Sequence, residues 1–173
     1  MIEVEAKVAL NSSKAKAIRT TLIQKYGKPT QSIKRDFYLS ANQSYFLRIR
    51  ETDKTRTLDL KGRAMTKGME TNDEMSWKVT SAKKALNWLK TIGIEPTISK
   101  MKKTEKFQVG AFTIELNYIH PLGHFLEIEQ LVESKKHLFQ AKKAIKNAFE
   151  SLGFKPSEFE KKPYYDLMRH SSL

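Results

Sequence analysis

Cysteine is absent from this sequence, which excludes disulfide staples and thiolate metal ligands and suits a reducing compartment. No apolar run approaches the roughly 20 residues that a membrane-spanning helix needs. The N-terminus, Met1-Ile2-Glu3-Val4-Glu5, has no basic segment followed by an apolar one of the kind that directs secretion. Internal repeats, low-complexity blocks and Gly/Ser/Pro linkers are lacking as well. The histidines His120, His124, His137 and His170 show no metal-ligand spacing, and the segment from Gly62 to Gly68 lacks the Gly-Lys-Ser/Thr ending of a phosphate-binding loop. These absences, with a length of 173 residues, predict one cytoplasmic domain over residues 1–173 with no membrane partner; a monomer or homodimer is expected.

Positive charge is what the sequence has in excess: 32 basic residues against 19 acidic ones, a net +13. Such a surplus suits a polyanionic partner, whether nucleic acid, an acidic membrane surface or a phosphorylated small molecule. It equally suits a soluble, lysine-rich surface. Placement of the charges therefore decides more than their number.

Residues 2–10 alternate, with Ile2, Val4, Ala6 and Val8 on one face and Glu3, Glu5 and Lys7 on the other, which predicts a strand. Asn11-Ser12-Ser13 offers N-caps for a helix to about Tyr26, with Ala15, Ile18, Leu22 and Ile23 as its apolar face. Strands are predicted over 32–39, 45–51, 55–61 and 75–80; the stretch 62–73 has two glycines and no period and reads as a loop. Helical spacing returns over 82–92. Strands follow over 97–109, 112–118 and 125–132, then a long helix over 135–152 and a tail over 157–168 with room for two helical turns. Trp77 and Trp88 are expected in the core. Eight strands in runs with three helices between them predict an antiparallel α+β domain rather than a doubly wound parallel sheet.

The informative feature is paired like charges within strands: Glu3/Glu5, Arg48/Arg50 and Glu127/Glu129. Carboxylates at i and i+2 stand on one side of a strand about 7 Å apart. If buried, they repel and need something to offset them. An acidic pair at each end of the chain could meet in an antiparallel barrel and form an oxygen-only site suited to Mg²⁺ or Mn²⁺. Basic residues of neighbouring strands would then hold phosphates, the combination that phosphoryl chemistry requires.

Several segments, in order, carry a family resemblance. Glu3-Val4-Glu5-Ala6-Lys7 resembles the E-x-E-x-K signature of the CYTH superfamily, the triphosphate tunnel metalloenzymes. Asp36-Phe37-Tyr38-Leu39, Leu47-Arg48-Ile49-Arg50-Glu51 and Leu58-Asp59-Leu60-Lys61-Gly62 resemble successive strands of that family. The segment from Lys100 to Lys103 falls where the family has K-x-R. The run from Leu122 to Glu129 resembles L-G-D-F-[LI]-E-I-E, and Pro163 to Met168 resembles the terminal S-Y-x-x-L-L.

The resemblance implies an eight-stranded antiparallel tunnel with helices packed outside. It implies metal ligation by Glu3, Glu5, Glu127 and Glu129, with Glu74 as the remnant of a further acidic strand. It implies that Lys7, Arg48, Arg50 and Lys102 or Lys103 grip a triphosphate, and that Lys61 and Tyr38 share the catalytic work, Lys61 tuning Tyr38 or a nearby water as a base.

The sequence departs from the family pattern at Asn117 and His124, where acidic residues are usual, at Thr104 in the K-x-R segment, and at Ser76 after Glu74. One firm metal site rather than two is therefore expected. Family members include class IV adenylyl cyclases, thiamine triphosphatases, inorganic tripolyphosphatases and fungal RNA triphosphatases. The expected activity is metal-dependent hydrolysis of a small-molecule triphosphate, because no adenine-reading motif is evident. Cyclisation of ATP to cyclic AMP and diphosphate is the alternative, and polyanion binding without turnover is the second. Nucleic acid is not the expected partner.

Overall fold

The computed structural model describes residues 1–41 and 44–171. Nine strands and four helices alternate as β1 (Ile2–Leu10), α1 (Ser12–Tyr26), β2 (Thr30–Ala41), β3 (Tyr45–Thr52), β4 (Arg56–Gly62), β5 (Ala64–Thr66), β6 (Met69–Lys78), α2 (Ala82–Thr91), β7 (Ile98–Val109), β8 (Phe112–His120), β9 (Gly123–Val132), α3 (Leu138–Ser151) and α4 (Tyr164–Ser171). Every pairing is antiparallel. The strands run in space as β1-β9-β8-β7-β2-β3-β4-β6, and β6 returns to β1, so eight strands close into a barrel. The ninth, β5, pairs with β6 outside that ring.

The barrel carries its apolar core on the outside. Along β1, Val4, Ala6 and Val8 are almost fully buried beneath α1 and α3, together with Leu126 and Ile128 of β9. Helix α1 contributes Ala15, Ile18 and Leu22, and α3 contributes Ala141, Ile145 and Phe149. Burying each large aliphatic or aromatic side chain contributes about 1.5–3 kcal/mol. Asn11 caps α1 by accepting from the Lys14 backbone N–H at 2.8 Å. Helix α2, capped by Ser81, lays Ala82 with Ala85, Leu86 and Leu89 over Leu39 and Ile49 on another flank. Helix α4 lies across one end of the barrel, where Tyr164 meets Phe125 and Ile119, and Tyr165 meets Tyr38 and Phe46.

Two expectations need correction. The predicted loop over 62–73 contains β5 and the first half of β6. In β6 the polar residues Glu70, Asn72 and Glu74 face a polar interior, so the strand has no apolar face to betray its period. The tail holds a 3-10 turn at Pro156–Glu158 and α4, whose eight residues make the two helical turns expected there. Trp77 and Trp88 are half or more exposed, at 50% and 77%. Among the described residues, no helix is long and apolar enough to cross a membrane.

Candidate active site in the barrel

Alternation sends every second side chain of each strand inward. From β1 these are Glu3, Glu5 and Lys7; from β9, Glu127 and Glu129; from β8, Glu115 and Asn117. On the other side, β7 sends Lys100, Lys102 and Lys106, β2 sends Lys34, Asp36 and Tyr38, and β3 sends Phe46, Arg48 and Arg50. Strands β4 and β6 complete the wall with Asp59, Lys61, Glu70, Asn72 and Glu74. The resulting cavity has a volume of about 150 Å³.

The two ends of the chain meet in it. Glu5 stands opposite Glu129 on β9 and opposite Glu70 on β6. One carboxylate oxygen from each of Glu3, Glu5 and Glu129 lies within 4.8 Å of the others. Burial, together with the neighbouring carboxylates Glu3, Glu115 and Glu127, pushes Glu129 up to about 7. Burial likewise raises Glu5 well above the usual carboxylate range, Lys61 opposing and Glu70, Glu3 and Glu127 adding to it. For Glu3 burial acts in the same sense, but contact with the Lys61 ammonium outweighs it and the net shift is downward. Lys61 also lies 3.4 Å from Glu5. Burial alone would lower Lys61, yet Glu3, Glu5 and Glu70 hold it firmly protonated.

The cationic side is organised by buried anions. Arg50 donates to both oxygens of Asp36, at 2.7 and 3.0 Å, and Lys100 reaches the same carboxylate at 3.0 Å. Burial disfavours the Asp36 charge, but Arg50, Lys100 and Arg48 overcome it and hold that carboxyl well below its usual value. Arg48 donates to Asp59 and to Glu74, each at 3.1 Å. Lys102 joins Glu115 at 2.8 Å to Glu127 at 2.9 Å, and Lys34 adds a bond to Glu115 at 3.0 Å. Lys7 pairs with Glu70, which burial raises but Lys7 and Lys61 draw down to about 2.

Most sequence-derived residues converge here: Glu3, Glu5, Glu127, Glu129, Lys61, Arg48, Arg50 and Lys102 all line the cavity, and Lys7 is buried behind it on Glu70. Lys103 does not join them. It is exposed on the outer face of β7, one residue out of phase with Lys102. Glu74 sits on Arg48, while the acidic residue of β6 that faces Glu5 is Glu70. Tyr38 packs edge-on against Phe46 and Tyr165, at centroid distances of 5.3 and 5.2 Å, whereas Lys61 reaches Glu3 and Glu5. Asn117 is inside, donating to Glu127 at 2.8 Å and accepting from Thr104 at 2.7 Å. His124 belongs to the outward phase of β9 and leans on Tyr118, so its identity leaves the carboxylate cluster untouched. Asp36, Asp59, Glu70, Glu115, Lys34 and Lys100 were missed as site residues. Their signal is the every-second spacing that puts Lys34 in phase with Asp36 and Tyr38, and Glu115 in phase with Asn117.

The carboxylate set fits a hard divalent cation. It offers only oxygens, three of them already converge, and two of the three carboxyls are held above their usual range by burial, with the neighbouring carboxylates adding to it. A divalent ion would relieve that repulsion.

The family model for the CYTH domain matches residues 1–164. The chain belongs to the CYTH family. Three solved structures show how widely this CYTH barrel is shared. The PH1012 protein of Pyrococcus horikoshii OT3 is 23% identical over 96% of this chain and 99% of its own, with a TM-score of 0.82. An adenylate cyclase candidate from Vibrio parahaemolyticus is 17% identical over 98% of each chain, with a TM-score of 0.74. An adenylyl cyclase candidate from Hippeastrum that reveals a dominant triphosphatase activity is 15% identical over 99% of this chain and 96% of its own, with a TM-score of 0.62. Identities this low speak for the CYTH fold alone. Among curated proteins no sequence match is found.

Proposed function

We propose that this CYTH protein is a metal-dependent triphosphatase that hydrolyses inorganic tripolyphosphate or the triphosphate end of a small molecule. The observation that carries the reading is the convergence of Glu3, Glu5 and Glu129 within 4.8 Å, in a cavity whose other wall presents Arg48, Arg50, Lys100 and Lys102. Glu3, Glu5 and Glu129 would hold Mg²⁺ or Mn²⁺. When bound, such an ion supplies charge neutralisation to phosphoryl oxygens and lowers the pKa of a water.

The chain's own residues do the rest. Arg50 and Arg48 present guanidinium forks already oriented by Asp36 and Asp59, so gripping a phosphate requires no rotamer search. Lys100 and Lys102 add ammonium groups held in place by Asp36, Glu115 and Glu127. Lys61, whose ammonium form Glu3, Glu5 and Glu70 favour, is placed to stabilise the transferring phosphoryl group electrostatically. Tyr164 and Tyr165 of α4 line the cavity and limit water at that end.

Size favours hydrolysis over cyclisation. A cavity of about 150 Å³ holds a phosphate chain, whereas sites for drug-sized organic ligands run to roughly 300–1,000 Å³. Forming cyclic AMP would bring ribose and the α-phosphate to the reacting centre together. The similarity to a Hippeastrum protein with a dominant triphosphatase activity points the same way.

The test is a substrate panel: purified protein with Mn²⁺ or Mg²⁺, offered tripolyphosphate, thiamine triphosphate and ATP, with orthophosphate, diphosphate and cyclic AMP measured separately. Orthophosphate release is expected. Cyclic AMP and diphosphate as the main products would establish the cyclase instead, and no turnover of any triphosphate would end both enzymatic readings.

A further inference from the structure

Closing the barrel sorts the charges of this chain unequally. Nine acidic and eight basic side chains line the cavity or pair directly with residues that do. That leaves 24 of the 32 basic residues but only 10 of the 19 acidic ones outside. The surplus that suits a polyanion is therefore carried by the exterior and not by the site. Its densest segment is α3 with the 3-10 turn before it. Phe139, Lys142, Lys143 and Lys146 stand at i, i+3, i+4 and i+7 on one helical face, and Lys135 and Lys136 extend it by a turn. Phe139 is 76% exposed among these lysines. The single acid on the helix, Glu150, reaches only Lys146, at 3.8 Å.

We propose that this face of α3 binds single-stranded nucleic acid, the lysines contacting successive phosphates and the Phe139 ring stacking on a base. Exposed aromatic rings set among cations are the means by which proteins hold single strands without reading sequence. The stripe from Lys135 to Lys146 runs about 16 Å along the axis, enough for two to three nucleotides. A membrane surface is the poorer partner. A helix that binds a bilayer must insert its apolar face, and that of α3, Ala141, Ile145 and Phe149, is buried against β1 and β9. Inorganic polyphosphate offers nothing for the ring. The proposal is independent of the tunnel and of whatever reaction occurs there.

The experiment is fluorescence anisotropy of the full-length protein with labelled 12-nucleotide oligouridine and oligothymidine. Binding of either strand is expected. Three phosphate contacts predict affinity falling about 20-fold between 50 and 200 mM salt. Phe139→Ala should weaken binding about tenfold without changing the salt dependence. The triple change Lys142→Glu, Lys143→Glu, Lys146→Glu should abolish binding while the thermal melt stays that of a folded protein; if it does not fold, the corresponding glutamine triple keeps the test. No binding of either strand at 50 mM salt overturns the proposal. So does unchanged affinity in Phe139→Ala, or binding to phosphatidylserine vesicles that outcompetes the oligonucleotides and is lost in the same variants.

Discussion

Glu129→Gln should make the metal-free protein more stable, and the gain should depend on pH in a defined way. The folded barrel holds the Glu129 carboxyl at about 7, against an ordinary value of 4.5, because burial and the carboxylates of Glu3, Glu115 and Glu127 disfavour its charge. That displacement corresponds to about 3 kcal/mol. A raised carboxyl costs nothing below its unfolded value, where both states hold the proton. Stability is lost as pH climbs from about 4.5 towards 7, where the unfolded chain has released a proton that the folded one retains, and the full penalty is present above that. Glutamine keeps the shape and removes the charge. Paired thermal melts of the two proteins should coincide near pH 4.5 and separate with rising pH, the variant melting roughly 6–12 °C higher at pH 8.5. Because the comparison is a difference, Glu70 and Asp36, whose lowered values cost stability in acid, cancel to first order. Mn²⁺ should raise the wild-type melt at pH 8.5 and leave the variant nearly unmoved. A variant no more stable than wild type at pH 8.5, or a gap constant with pH, would refute the reasoning.

Three further outcomes are expected. Lys102→Ala should raise the KM for tripolyphosphate at least tenfold, whereas Lys103→Ala should leave it within twofold, because alternation puts only Lys102 inside; initial-rate kinetics read both. Asp36→Asn should destabilise the fold by about 3–5 kcal/mol in urea titration, since it strips the shared anion from Arg48, Arg50 and Lys100 and leaves buried cations unpaired. Gly68→Ala should lower the melting temperature by several degrees. Gly68 holds φ +78°, and an added Cβ would lie 2.7 Å from the Phe159 Cβ, so a strained backbone and a clash arise together.

How much of this was legible depended on which side of a strand carried the pattern. β1 was readable because its outward face, Val4-Ala6-Val8, is apolar and its inward face, Glu3-Glu5-Lys7, is charged, so the period of two stood out. The helices α1 and α3 showed ordinary amphipathic spacing and lay where expected. β6 failed the same test: Glu70, Asn72 and Glu74 face in, Thr71 and Asp73 face out, and neither face is apolar. The acidic and arginine pairs marked the site because like charges at i and i+2 are costly without partners. The counter-ions Asp36, Asp59 and Glu115 were silent because each is a lone acid in its own strand, and only closure of the barrel brings it to an arginine or lysine. Lys102 and Lys103 could not be told apart until the register of β7 against β2 and β8 fixed the phase. Trp77 and Trp88 misled for another reason: large aromatics are usually buried, and these two stand half or more exposed.

The central claim, that Glu3, Glu5 and Glu129 form a metal site serving a triphosphate held by the opposite wall, is tested most directly by one rate. Orthophosphate release from tripolyphosphate should be measured in wild type and in Glu5→Gln, with Mn²⁺ supplied and with Mn²⁺ removed by chelator. The account predicts turnover only for wild type with metal, and a loss of at least a hundredfold in the variant. Full turnover without metal, or undiminished metal-dependent turnover in Glu5→Gln, would contradict it.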